Sequence, residues 1–291
     1  MTNECAAENL VYSKAYDNMF IPERFMRRVT DHIILNYLED NHFFQPPLYL
    51  VIEGSPGQGK TMQTIAACNK KGIAVKYISA SQLSGKKEGE SREALQKVYN
   101  EALELLYSGI YPCILIDDFH MGNATTDEKV NKTINSNLLI GYMMNLAEAI
   151  PKQRIPIILT GNDFSKVYPA LIRDGRADIF FWEPTSDEKY ETVKSLYGSI
   201  LLDRDTGNFK KFFLKYQDCN VAFFAQLIND LRRKQLSDQI AQIDSVSTTS
   251  IKYLSQSIRM HLDKITLSQL DELATQRKKD RERKLEKKWR M

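Results

Sequence analysis

Short, fully apolar runs that end in polar or acidic residues recur along the first two thirds of the chain, separated by stretches with helical spacing. Leu48-Tyr49-Leu50-Val51-Ile52 reads as a buried strand, and residues 62–70 read as the helix after it. A second strand is predicted over 74–79, then a helix from about 92 to 107 with Leu95, Val98, Ala102 and Leu105 on its apolar face. Cys113-Ile114-Leu115-Ile116 predicts a third strand, 133–149 a helix, 155–160 a fourth strand, and 179–182 a fifth. Continuous apolar runs of this length suit strands covered on both faces. Strand, helix, strand in succession implies parallel pairing through right-handed crossovers.

The pattern differs at the two ends. Phe25, Val29, Ile33 and Tyr37 recur every four residues, which predicts an N-terminal helical segment over 1–45, closed by Pro46-Pro47. From 185 onward the spacing is helical throughout. Ser186-Asp187-Glu188 suits a helix start with Val193, Leu196 and Tyr197 behind it, and Phe223, Phe224, Leu227, Ile228 and Leu231 mark a further amphipathic helix. The expected division is a helical segment (1–45), an α/β domain (46–184), a small helical lid domain (185–262) and a basic C-terminal helix or tail (263–291).

Composition narrows the class. Hydrophobic content of 43% and charged content of 26% are ordinary for a soluble globular chain, so wholesale disorder is excluded. No apolar run approaches the roughly 18 residues of a membrane span, and the N-terminus lacks a basic stretch followed by an apolar one. A cytoplasmic protein without a membrane partner is expected. Cys5, Cys68, Cys113 and Cys219 are scattered, which argues against a disulfide frame or a zinc site. The net charge of +3 is uneven: residues 277–291 hold nine Lys or Arg against three Asp or Glu, so this end carries +6 and the remainder −3. Such a run is read first as solvated helix, with nucleic acid as the less favoured partner.

The candidate chemistry sits at strand ends. Gly54-Ser55-Pro56-Gly57-Gln58-Gly59-Lys60-Thr61 lies between the first strand and its helix, the context of a phosphate-binding loop. Its glycines let backbone N–H groups face a triphosphate, and the helix N-terminus adds positive potential. Lys60 would reach the β and γ phosphates and Thr61 would ligate Mg2+, with Met62 completing the ATP-binding set. The third strand delivers Asp117 and Asp118, one acid for the metal and one for the attacking water. The fourth ends in Gly161-Asn162-Asp163, where an amide can hold the γ phosphate or its water; an Asn-Asp turn is the other reading. Arg173 and Arg176 have no evident core role; they suit either transition-state stabilisation across a subunit boundary or a surface salt bridge to Asp174 or Asp178.

This order of phosphate loop, acid-tipped strand, Asn-tipped strand, arginine pair and helical lid resembles the AAA+ ATPases, and within them the Rubisco activase family. GQGK at 57–60, ISASQLSG at 78–85, IPIILTGNDFS at 155–165 and LIRDGR at 171–176 carry the resemblance. It implies a three-layer α/β P-loop core with a helical lid, and an ATPase using magnesium. It also implies Asn162 as sensor of the γ phosphate, and Arg173 and Arg176 as arginine fingers acting on a neighbouring subunit. A homo-oligomeric ring, commonly a hexamer, follows from the family. So do loops near 84–89 and 122–126 that grip a protein client, Rubisco or another large assembly. The chain departs from that pattern in having Asp117-Asp118 for Asn-Asp, Ile228 for a lid arginine with Arg232 and Arg233 one turn later, and no aromatic in the first loop. A helicase-loader or initiator-type ATPase and a nucleotide-switched interaction module are the alternative readings.

Overall fold

The computed structural model describes residues 19–38, 45–84, 89–121, 134–148, 154–198, 200–201, 206–241, 243, 245–261 and 264–289. The chain divides into two compact units, Met1–Glu183 and Pro184–Met291. The first is a three-layer α/β body. Its elements are α1 (Glu23–Tyr37), β1 (Tyr49–Glu53), α2 (Lys60–Lys70), β2 (Ala74–Ser79), α3 (Glu90–Tyr107), β3 (Pro112–Asp117), a 3-10 turn (Phe119–Met121), α4 (Ile134–Ala147), β4 (Ile157–Gly161) and β5 (Ala177–Phe181).

The strands form one parallel sheet in the order β2-β3-β4-β1-β5. Successive strand side chains point to opposite faces, so an all-apolar strand must be covered on both sides. β1 shows this directly. Tyr49 and Val51 join Leu95, Val98 and Ala102 of α3 and Met143 of α4 in one core, while Leu50 and Ile52 join Phe25, Val29 and Ile33 of α1 and Ile65 and Ala66 of α2 in the other. Burying each such side chain fully contributes about 1.5–3 kcal/mol. The four-residue repeat in α1 is therefore its inner face, and α1 is built into the α/β unit.

Most element boundaries shift by one or two residues from the pattern-based expectation, and two of the shifts have a plain cause. β4 begins at Ile157 because Pro156 has no N–H to give, although its carbonyl still accepts from Ile114 N at 3.0 Å. β5 begins at Ala177, two residues before the apolar run, because Ala177 pairs with Tyr49 of β1.

Charged and polar groups are also built into this interior. Lys76 of the edge strand β2 is fully buried, and its ammonium lies 2.9 Å from Glu101 of α3. His32 of α1 is buried as well; burial pulls its imidazole down to about 3, and Arg28 and Arg154 add repulsion. Neutral in the fold but titrating near 6.5 in the unfolded chain, His32 favours the native state fully above pH 6.5. That contribution is lost as pH falls from 6.5 toward 3, by about 1.4 kcal/mol per unit. Urea unfolding at pH 7 and pH 5 should therefore show the His32→Gln variant escaping about 2 kcal/mol of the wild-type loss. Equal losses in the two proteins would refute this assignment.

The second unit is helical: α5 (Ser186–Tyr197), α6 (Thr206–Lys215), α7 (Val221–Ala241), α8 (Thr248–His261) and α9 (Leu267–Trp289). α5 starts on a capping box in which the Thr185 hydroxyl accepts from Glu188 N and the Glu188 carboxylate accepts from Thr185 N. Tyr197, Phe209, Phe213 and Phe224 form an aromatic core with Ile265, Leu270 and Ala274 closing it. Among the described residues no helix is long and apolar enough to cross a membrane. Cys68, Cys113 and Cys219 are buried and form no disulfide; Cys5 lies outside the described residues.

Candidate functional site

In an open parallel sheet, ligands bind beyond the C-terminal ends of the strands. The tips of β1, β3 and β4 carry the residues singled out above. Leaving β1, the chain passes Gly54, where an added Cβ would lie 1.9 Å from the carbonyl oxygen of Trp182, so only glycine fits. Ser55 and Pro56 are exposed. Gly57 and Gly59 have φ of 77° and 82°, the left-handed region open to glycine, and Gly59 swings the chain into α2 at Lys60. Gln58 braces the loop from below: its carbonyl accepts from the Trp182 indole at 3.1 Å and its amide donates to Glu183 at 2.8 Å. Met62 is exposed on the first turn of α2.

Lys60 is almost wholly buried. Its ammonium donates to the carbonyls of Gly54 (2.7 Å) and Ser55 (3.0 Å) and to Oδ1 of Asn162 (2.9 Å). Burial pulls it below the ordinary lysine value, opposed by the carboxylates of Asp118 and Asp117. Beside it, the Thr61 hydroxyl donates to Asp117 Oδ1 at 2.6 Å, and Thr160 donates to the same oxygen. Tyr77 donates to Asp117 Oδ2 at 3.1 Å, and its phenol is pushed up to about 12 by burial and by that carboxylate. Three hydroxyls thus hold Asp117 in one orientation. Asp118 follows in the left-handed conformation, φ 53°, with its N–H on Thr160 Oγ1 at 3.3 Å and its side chain exposed.

The donor chemistry fits magnesium with a phosphate. Thr61 and Asp117 present adjoining hard oxygens, and among the described residues no group of three or more His, Cys, Asp or Glu gathers to cage a metal alone. Magnesium suits such a partial set, because it binds through one or two carboxylates and substrate phosphates.

The two arginines are placed differently. Arg173 is exposed, and its side chain makes no hydrogen bond among the described residues. Arg176 is buried and committed within its own unit, donating to Ala170 O (2.6 Å) and to Glu148 Oε1 (2.5 Å). Arg232 donates to Gln235 within α7, and Ile228 is partly buried in the helical core. Of the two loops expected to grip a client, 122–126 lies outside the described residues and 84–89 is described only at Ser84 and Gly89.

Pattern reading missed His120, Thr160 and Trp182, all of which touch the site residues. The end of an apolar run was a usable signal for Thr160. Nothing local distinguishes the other two.

A glycine loop closing on a helix N-terminus, beside an oriented acid and an amide at neighbouring strand tips, defines a P-loop nucleotide site in a three-layer core. Residues 50–185 match the family described as "ATPase family associated with various cellular activities (AAA)". It resembles Rubisco activase. The ribulose bisphosphate carboxylase/oxygenase activase of Anabaena sp. is 32% identical over 271 residues, covering 88% of this chain and 64% of that protein. The Nostoc sp. activase is 33% identical over 238 residues (77% and 56%), and the chloroplastic activase of Cucumis sativus 33% over 190 (61% and 46%). The matches thus span less than two thirds of each relative's own length. The P-loop core and helical C-terminal part expected from the sequence are those found.

Proposed function

We propose that this chain hydrolyses ATP with magnesium, works in a homo-oligomeric ring and uses turnover to remodel a protein client. The observation that carries this reading is the meeting of Lys60 with Asn162 at 2.9 Å beside the contact of Thr61 with Asp117 at 2.6 Å. It gathers a phosphate-binding cation, a metal-binding oxygen pair and a polar amide at one edge of the sheet. The loop from Gly54 to Gly59, with Lys60 and Met62, binds the nucleotide, and Thr61 and Asp117 hold the metal. Magnesium, when bound, neutralises charge on the β and γ oxygens. Asp118 orients the attacking water, Asn162 contacts the γ phosphate or that water, and Arg173 serves the site of the next subunit. Arg176 holds the turn that carries Arg173. Rubisco is the first client to test, because the relatives are named for activating it.

Calorimetry with ATP and magnesium checks the site. Wild type should bind, and Lys60→Ala should bind about 10- to 100-fold more weakly, the loss of a charge-assisted hydrogen bond of about 1.5–3 kcal/mol. Asp118→Asn should bind normally and fail to turn over. No heat from folded wild type would end the proposal. The Asp118→Asn protein is then the trap for client capture. DNA binding that weakens steeply with salt and disappears on deletion of 277–291 would point to the nucleic-acid reading instead.

A further inference from the structure

His120 belongs to no motif, yet it lies against Asn162. After β3 the chain takes Asp118 through the left-handed region and enters the 3-10 turn, where Phe119 is buried and its ring stacks on Phe164, 6.4 Å between centroids at 20°. That anchor sets His120 over the end of β4. The N–H of Asn162 donates to His120 Nδ1 at 3.3 Å, and the Asn162 side-chain amide nitrogen lies 3.5 Å from Nε2. The preceding residue is glycine, and a Cβ there would come within 3.0 Å of His120 Nδ1 and 2.5 Å of the Phe164 ring. The imidazole therefore occupies space that any side chain at 161 would need.

We propose that His120 is a positioning residue for ATP turnover: through Nδ1 it holds the main chain of Asn162 where the amide can act. The inference rests on the ATPase reading above. Asn162 is gripped at two points, its Oδ1 by Lys60 and its main-chain N–H by His120. Only the first grip uses a group that a phosphate would claim. The second survives when the Lys60 ammonium turns to an anion, so Asn162 needs no reordering in the loaded site. An N–H can donate to Nδ1 only if that nitrogen carries no proton, so the ring is the neutral tautomer with its proton on Nε2.

The test compares His120→Leu with His120→Asn, since the amide oxygen of asparagine can offer an acceptor near the place of Nδ1. The leucine variant should lose about fivefold to tenfold in kcat, the effect of one hydrogen bond, with KM for ATP within about twofold of wild type. The asparagine variant should regain most of the rate. Nitrogen-15 spectra of the nucleotide-free wild type should show His120 Nδ1 unprotonated and Nε2 protonated. An unchanged kcat in His120→Leu, equal rates in both variants, or a proton on Nδ1 overturns the proposal. If the leucine variant does not fold, the asparagine variant's rate and the wild-type tautomer decide it. A wild type that neither binds nor hydrolyses ATP removes the ATPase reading and this one together. An active wild type matched by His120→Leu removes only this one.

Discussion

Replacing Arg173 with alanine should lower ATP turnover by about 10³- to 10⁵-fold, the range of an arginine supplied to a phosphoryl-transfer site. Folding should be untouched, because the side chain is exposed and makes no hydrogen bond among the described residues. The turn beneath it is well held. Arg176 N and Ala177 N both donate to the Arg173 carbonyl, Gly175 takes φ 85°, and the Arg176 guanidinium ties the segment to Ala170 and Glu148. If Arg173 works on the neighbouring subunit, mixing Arg173→Ala with Lys60→Ala subunits should restore activity, since one supplies the intact pocket and the other the arginine. Arg176→Ala should lose rate and stability together, and mixing should not restore it. Normal turnover by Arg173→Ala as an isolated monomer would end the ring mechanism.

A second large effect is expected far from the nucleotide. Glu101→Leu removes the carboxylate that lies 2.9 Å from the Lys76 ammonium in the interior between β2 and α3, and breaking a buried pair by removing one partner costs about 3–5 kcal/mol. The double variant Lys76→Met/Glu101→Leu should return to within about 1 kcal/mol of wild type, because a buried pair contributes little against apolar residues of similar volume. Urea unfolding of the three proteins measures both values. A loss below 1 kcal/mol in Glu101→Leu would mean that Lys76 finds water or another partner. β2 is an edge strand, and an inward charge on an edge opposes pairing with foreign strands.

Much of the architecture was readable from neighbouring residues alone. The apolar run at 48–52 falls on β1, the four-residue repeat from Phe25 falls on α1, and Ser186-Asp187-Glu188 opens α5. These are local effects: alternation, helical spacing and caps act within a few residues. The phosphate loop was legible for the same reason, since its chemistry is contiguous. Strand order was not. Only the parallel pairing of β1 with β4 brings Lys60 to Asn162 across 102 positions, and only the turn after β3 sets His120 on that same asparagine. Arg173 and Arg176 are alike as letters three apart, and Lys76 is one charged letter within a predicted strand. What separates the exposed arginine from the buried one, and sinks the lysine onto Glu101, is which distant element packs over each position. Such contacts arise from pairing remote segments, where the local pattern carries no signal.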